Sequence, residues 1–137
     1  MNDSVKSILD GSILGVLATT NEDGSAWSTP LHLFYDEAGL YWFSQETTQH
    51  AKNCQNNARV SVSIFSPDES EGVKGVYVSG AVEKIAVSTL KYEQAQALVL
   101  ARLGAIRAVF SGATAYFIPF GAINTTKSNK NCWYFYS

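Results

Sequence analysis

Short apolar segments divided by tight polar turns constrain the fold of this chain more than any other feature. Residues 59–65 alternate valine and isoleucine with serine, and residues 13–20 are rich in apolar and β-branched side chains. Both patterns are typical of strands with at least one buried face. Asp23 and Gly24 form a pair that supplies the positive φ of a tight hairpin turn. The pattern therefore predicts a sheet built mainly from antiparallel hairpins.

About seven strands are predicted, with helices inserted between them, which favours a mainly β (α+β) fold. Strands joined by short turns suit a small antiparallel barrel with peripheral helices better than a doubly wound sheet. The predicted strands are residues 13–20, 26–35, 40–43, 59–65, 73–85, 115–123 and 132–136, and the predicted helices are residues 4–9, 48–57, 88–103 and 105–110.

Proline and glycine are expected to interrupt two of these strands. Pro30 has no amide hydrogen to donate, so its strand is predicted to be an edge, to bulge or to form a barrel corner. Gly75 and Gly80 predict bulges or bends in the long strand that contains them. Residues 124–131 are polar and are predicted to form a loop.

The composition predicts a single domain, residues 1–137, in a soluble cytoplasmic protein. Charged residues make up 16% of the chain and aromatic residues 12%, so part of the surface is expected to be covered by a subunit interface or an aromatic ligand. The net charge of −2 and the dispersed basic residues argue against nucleic acid as a partner. No apolar stretch near the N-terminus is long enough to span a bilayer, and none resembles a secretory signal.

No motif in the chain predicts a metal site or a catalytic nucleophile. Cys54 and Cys132 stand alone, and two reduced thiols are the simpler interpretation, although a disulfide between them stays open. The chain has no nucleophile elbow, no paired catalytic carboxylates and no glycine-rich phosphate loop. Any redox or transfer chemistry is therefore expected to come from a cofactor.

Residues 40–60 combine an aromatic strand, a polar turn, a short helix and the start of another strand. Thr47 and Thr48 are both suitable N-caps for the helix, because a hydroxyl accepts hydrogen bonds from the free amides of the first turn. Those amides and the helix dipole favour an anion. The surrounding side chains are hydrogen-bond donors: Ser44, Thr48, Gln49, His50 and Lys52. The segment predicts a phosphate-binding site, and the alternative is a Thr-capped surface helix that binds nothing.

The order of these motifs resembles the FMN-binding split-barrel superfamily, which includes the pyridoxamine 5'-phosphate oxidase-like proteins. The resemblance rests on the Asp-Gly hairpin, a following TPL segment, the aromatic strand and a Thr-x-His helix start followed by asparagine. The segments ARVSVSI and GVYVSGAVEKI continue the pattern. The resemblance covers residues 8–86 well and the C-terminal strands more loosely.

The resemblance implies a split antiparallel barrel with Greek-key character that forms a homodimer with two FMN molecules in grooves between the subunits. It also implies roles for particular residues. Ser44, Thr48, Gln49 and His50 would contact the phosphate, the backbone around Ser28, Thr29 and Leu31 would flank the flavin ring, and Trp133 would come from the far side of the barrel or from the partner subunit.

Two departures from the family pattern limit the expected activity. The family usually has Lys or Arg at the position of His50, so the phosphate would meet a less charged donor here. The oxidase holds pyridoxal phosphate with basic residues near its C-terminus, whereas this chain has no arginine after Arg107 and only Lys127 and Lys130 could substitute. Pyridoxamine 5'-phosphate oxidation is therefore not expected.

The leading prediction is an FMN-dependent oxidoreductase of unknown substrate. The alternative is a non-catalytic protein on the same scaffold that binds, stores or senses a flavin or haem, with His32 and His50 as the only histidines available as axial ligands. His32 is otherwise interpreted as a structural or interface residue. The non-functional alternative for His50 is a helix-surface histidine packed beside Tyr41 or Trp42. The non-functional alternative for Trp133 is a residue of a buried core strand or dimer strand.

Overall fold

The structure is a computed structural model, and it describes residues 1–104, 112–128 and 131–137. Ten strands and three helices occur within these ranges. In chain order they are α1 (Asp3–Gly11), β1 (Leu14–Thr20), β2 (Ala26–His32), β3 (Phe34–Tyr35), β4 (Gly39–Ser44), α2 (Gln49–Asn56), β5 (Arg59–Phe65), β6 (Lys74–Ala81), β7 (Glu83–Ile85), α3 (Leu90–Leu103), β8 (Thr114–Pro119), β9 (Ile123–Ser128) and β10 (Asn131–Tyr136).

The strands form two sheets, in agreement with the mainly β fold predicted from the sequence. The larger sheet has the order β2-β1-β5-β6-β10-β9, and the smaller has the order β3-β4-β8-β7. Neighbouring strands are antiparallel except for β6 and β10, which are parallel. Two sheets with flanking helices are consistent with a split barrel.

Two segments that were each predicted as one strand pass from one sheet to the other. The first breaks at Leu33, between β2 in the larger sheet and β3 in the smaller one, and the second breaks at Val82, between β6 and β7. No bulge occurs at Gly75 or Gly80, because both lie within β6 and pair with β5 in an unbroken register. The sequence hides these breaks because neither proline nor glycine stands directly beside Leu33 or Val82.

The edge prediction at Pro30 is confirmed, since β2 is the outermost strand of the larger sheet. The hairpin prediction before it is also confirmed, because β1 pairs with β2 along its whole length and Gly24 has a φ of 87°. At this φ a side chain would be strained, so glycine suits the turn.

The polar loop predicted at residues 124–131 is wrong, because most of this segment forms strand β9, which pairs with β10. Its side chains from Ile123 to Lys127 are exposed, so the strand lacks the apolar alternation on which the prediction relied. The helix predicted at residues 105–110 lies outside the described residues.

Apolar side chains form two core clusters. The first lies between α1, α2 and the two sheets, and the second lies between α3 and the smaller sheet. Strand β4 contributes to both clusters, because Trp42 belongs to the first and Tyr41 to the second, each 1% exposed. Because its side chains are buried on both faces, β4 is held in place up to its end at Ser44. The turn that leads to α2 follows immediately.

Cys54 and Cys132 are buried free thiols. No helix in the described ranges is long and apolar enough to cross a membrane.

Candidate functional site

The start of α2 has the capped geometry that the sequence predicts. Thr48 is the N-cap, with an extended backbone, and its hydroxyl oxygen accepts a hydrogen bond from the Ala51 amide at 3.3 Å. The same hydroxyl donates to the carbonyl oxygen of Gln45 at 2.8 Å. These bonds hold the turn after β4 against the first turn of the helix.

The side chains of Ser44, Thr48 and His50 meet at this helix start. The Nε2 atom of His50 lies 2.7 Å from the Ser44 hydroxyl oxygen and 3.3 Å from that of Thr48. His50 is 8% exposed, so it is not the surface histidine considered as an alternative. Burial lowers the pKa of His50 below its ordinary value, because desolvation disfavours the charged imidazolium. The cluster therefore presents a neutral imidazole and two hydroxyls.

Gln49, the fourth residue predicted near the phosphate, points its carboxamide along the helix. Its Nε2 atom donates to Asn53 Oδ1 at 2.9 Å. Asn53 in turn donates to the Thr19 hydroxyl oxygen at 3.0 Å and to Asn21 Oδ1 at 2.8 Å. No role was predicted for Thr19, Asn21 or Asn53. The local signals for Asn53 were its place after the Thr-x-His helix start and its four-residue spacing from Gln49.

The residues predicted beside the flavin ring lie on β2 but divide between its two faces. Thr29 pairs with Leu17, which is fully buried, so its side chain lies on the inner face of the sheet. Leu31 lies on that face as well, because side chains two residues apart share a face. Ser28 pairs with Ala18 on the outer face and is exposed.

Trp133 lies on the outer face of the same sheet but far from β2. It belongs to β10, which is separated from β2 by β1, β5 and β6. Four strand spacings correspond to about 19 Å. Its ring lies over Gly75, where an added Cβ would come within 2.5 Å of Trp133 Cζ3. Within one chain, the structure therefore does not bring Trp133 together with Ser28 or with the start of α2.

The family model described as pyridoxamine 5'-phosphate oxidase matches residues 1–119 of this chain. The chain belongs to the pyridoxamine 5'-phosphate oxidase-like split-barrel family. No curated protein matches its sequence significantly.

The solved structures that align with this chain include a haem-binding protein, a FAD-binding protein and an F420 reductase. A haem-binding protein from Mycobacterium smegmatis aligns with a TM-score of 0.74 and 17% identity, over 85% of this chain and 49% of that one, so the chain spans about half its length. A FAD-binding protein from Mesorhizobium loti aligns with a TM-score of 0.65 and 25% identity, over 86% and 88% of the two chains. An F420 reductase aligns with a TM-score of 0.66 and 21% identity, over 87% and 95%.

The remaining candidate residues of this family member lie away from the α2 start or on its exposed side. Lys52 is exposed on α2, and Lys127 is exposed on β9, opposite Cys132. His32 is partly buried at the end of β2 and pairs with Leu14. Lys130 lies outside the described residues. Within the part of the chain that the structure describes, no group of three His, Cys, Asp or Glu residues could hold a metal ion.

Proposed function

We propose that this chain is an FMN-binding oxidoreductase that acts as a homodimer on a substrate still to be identified. The observation that carries the proposal is the convergence of Ser44, Thr48 and His50 at the capped start of α2. Their side chains and the adjacent helix amides form what we call the phosphate cradle. Two buried free cysteines support a reducing compartment such as the cytoplasm.

The phosphate cradle suits a phosphate because each of its parts favours an anion. Amides of a helix start point toward the N-terminal end, where the helix dipole also favours negative charge. The Ser44 hydroxyl can rotate to donate to a phosphate oxygen, and neutral His50 can donate through one ring nitrogen. The Thr48 hydroxyl can also donate to the phosphate, in exchange for its hydrogen bond to the Gln45 carbonyl oxygen. His50 and Ser44 are each 8% exposed, so these bonds would form with little competition from water.

A homodimer is supported by the position of Trp133 and by the apolar outer face of the larger sheet. Trp133 lies about 19 Å from β2 along the sheet of its own chain. Tyr77 stacks on Phe135 with ring centroids 5.1 Å apart, and Phe135 is 38% exposed while Phe65 is 55% exposed. A second copy packed on this face would cover these rings and would bring its own Trp133 toward β2.

FMN, when bound, would supply the one-electron and two-electron transfer chemistry. The residues of this chain would bind and orient it: the phosphate cradle fixes one end, and the backbone of β2 around Ser28, Thr29 and Leu31 flanks the ring. We do not propose pyridoxamine 5'-phosphate as the substrate, because Lys127, one of the two lysines considered for holding it, lies on an exposed strand.

The test is FMN affinity measured by fluorescence titration of the ligand-free protein. His50→Ala and Thr48→Ala should each weaken FMN binding by about tenfold, because each removes a hydrogen bond to a charged group. Gln55→Ala is the matched control, since this exposed and uncharged residue lies on the same helix. Equal affinities for FMN in the wild type and both cradle variants would overturn the site.

The second candidate is a haem-binding protein without catalytic activity. His32 favours it, because this histidine lies partly buried at the end of the edge strand β2, where a planar ligand could reach it. The fold shared with the haem-binding protein of Mycobacterium smegmatis also supports it. In that case added haem should give a Soret band that His32→Ala shifts or abolishes, whereas His50→Ala should leave it unchanged.

A further inference from the structure

A polar network connects α2 to the hairpin of β1 and β2, and Asn53 lies at its centre. We propose that Asn53 is the positioning residue of the phosphate cradle: it fixes the start of α2 against the end of β1 so that the cradle amides and His50 are aimed at the phosphate. The inference rests on the proposed function, because it assigns Asn53 a role in the same site.

The hydrogen bonds of Asn53 leave its carboxamide a single orientation. Both Nδ2 hydrogens are used, one by Thr19 Oγ1 at 3.0 Å and one by Asn21 Oδ1 at 2.8 Å. Its Oδ1 atom accepts from Gln49 Nε2 at 2.9 Å. Rotating the Asn53 carboxamide by half a turn would place its oxygen against Asn21 Oδ1, which is also an acceptor. The same rotation would place its nitrogen against Gln49 Nε2, which is also a donor. Asn53 is only 2% exposed, so water cannot substitute for these partners.

The three partners of Asn53 belong to three different parts of the chain. Thr19 lies at the end of β1, Asn21 lies in the hairpin turn, and Gln49 is the first residue of α2. Asn53 therefore clamps the first helical turn to the larger sheet from one side. The Ser44 and Thr48 contacts of His50 hold the same turn from the side of β4.

A phosphate site needs this clamp because its donors act only over short distances. Hydrogen bonds weaken steeply when donors move or tilt, and a displacement of about 1 Å at a site reduces its function strongly. Without Asn53, the first turn of α2 would keep its cap at Thr48 and a long contact of 3.5 Å from Gln49 Nε2 to Asn21 Oδ1. It would lose the shorter hydrogen bonds that Asn53 makes to Thr19 and Asn21. The hydrogen-bond donors of the phosphate cradle would remain present, but they would be less well aligned with the phosphate.

A purely structural role for Asn53 makes a different prediction from a positioning role. If Asn53 only stabilises the fold, its loss should weaken binding of FMN and of riboflavin, which lacks the phosphate, by the same factor. If Asn53 positions the phosphate cradle, its loss should weaken FMN binding and leave riboflavin binding nearly unchanged. The ratio of the two dissociation constants is therefore the informative quantity.

The experiment measures that ratio by fluorescence titration for the full-length wild type, Asn53→Ala and the milder Thr19→Val. Thr19→Val keeps the shape of the side chain and removes one acceptor of Asn53, so it remains informative if Asn53→Ala unfolds. We expect the preference for FMN over riboflavin to fall about tenfold in Asn53→Ala and about threefold in Thr19→Val. Asn57→Ala is the matched control, because Asn57 accepts from the Arg59 amide at the other end of α2.

Each outcome decides for or against the proposal. A reduced preference in the network variants and an unchanged one in Asn57→Ala would support it. A wild type that prefers FMN, with network variants that keep this preference, would overturn the role of Asn53 and leave the phosphate cradle standing. A wild type that binds FMN and riboflavin equally would overturn the phosphate cradle, and the role of Asn53 with it.

Discussion

At the scale of single residues, His50 lies at a position where a neutral imidazole is favoured over a charged one. It is 8% exposed, its Nε2 atom contacts two hydroxyl oxygens, and burial lowers its pKa. A buried histidine of this kind can donate to a phosphate without carrying a permanent charge.

The depressed pKa of His50 predicts how stability depends on pH. The unfolded chain has a histidine pKa of about 6.5. Because the folded pKa is lower, the unfolded state binds more protons below that pH, and the stability of the folded state falls. This contribution is fully present above about pH 6.5 and is lost as the pH falls toward the folded pKa.

The measurement is urea unfolding of the ligand-free protein between pH 7.5 and pH 5.5, a range chosen around the ordinary histidine pKa of about 6.5. The free energy of unfolding should fall toward the acid end in the wild type and change less in His50→Gln. Most carboxylates titrate at lower pH and contribute little in this window. Identical slopes for the two proteins would contradict the assignment.

The sequence predicts the grouping of those phosphate-cradle residues that lie close together along the chain. Ser44, Thr48 and His50 lie within one strand-turn-helix segment, so local rules were enough to bring them together. Asn53 and Thr19 are 34 positions apart and meet only because α2 packs on β1. The two faces of β2 were likewise hidden, because Ser28 and Thr29 were taken together without a sheet register.

At the scale of secondary structure, strands and helices with strong local patterns were predicted well and the crossings between sheets were not. Strand β5 and the helices α2 and α3 have the periodicity or caps that the sequence displays. The breaks at Leu33 and Val82 leave no such trace, because no turn residue stands directly beside either one and the chain is extended on both sides. Only the closure of the sheets around the core determines where they occur.

Strand β6 offers a direct test of how Trp133 is held. A Cβ at Gly75 would lie 2.5 Å from Trp133 Cζ3, so Gly75→Ala must displace the ring. We expect a loss of about 1–3 kcal/mol in the free energy of unfolding, together with a changed near-ultraviolet circular dichroism signal. If Trp133 contributes to a flavin site, FMN binding should weaken as well.

Gly80→Ala is the matched control for this variant. Gly80 lies in the same strand, but a Cβ there would have its nearest contact with Ile118 at 3.8 Å, which is an ordinary van der Waals distance. The Gly80 variant should therefore keep the spectrum and the FMN affinity of the wild type. Equal effects of the two substitutions would show that the contact with Trp133 is not the cause.

At the scale of the whole molecule, the separation between β2 and β10 determines what one chain can do alone. The phosphate cradle and the β2 backbone lie at one side of the larger sheet, and Trp133 and Phe135 of β10 lie toward the other. A dimer in which the outer faces meet would unite these parts in two equivalent sites. The homodimer remains our proposal, and it can be tested without a substrate.

Sedimentation equilibrium should find a dimer for the wild type and a monomer for Phe135→Glu, because a carboxylate on the outer face would be buried at the interface. FMN binding should be lost with the dimer. A wild type that stays monomeric at all concentrations, with FMN bound, would contradict the shared site.

Mixed dimers test whether Trp133 acts across the interface. His50→Ala and Trp133→Ala chains should each bind FMN weakly alone. If they exchange randomly after mixing in equal amounts, half of the dimers are mixed, and each mixed dimer has one intact site and one doubly altered site. Titration should then recover about one quarter of the wild-type number of strong sites. No recovery in verified mixed dimers would contradict a contribution from the partner.

The visible spectrum of the purified protein shows directly whether the chain binds FMN. It should be recorded before and after addition of FMN, with excess FMN removed by gel filtration. We expect flavin absorption bands that stay with the protein at about one FMN per chain. A protein that remains colourless after this treatment, or one that shows a Soret band and retains no flavin, would contradict this expectation.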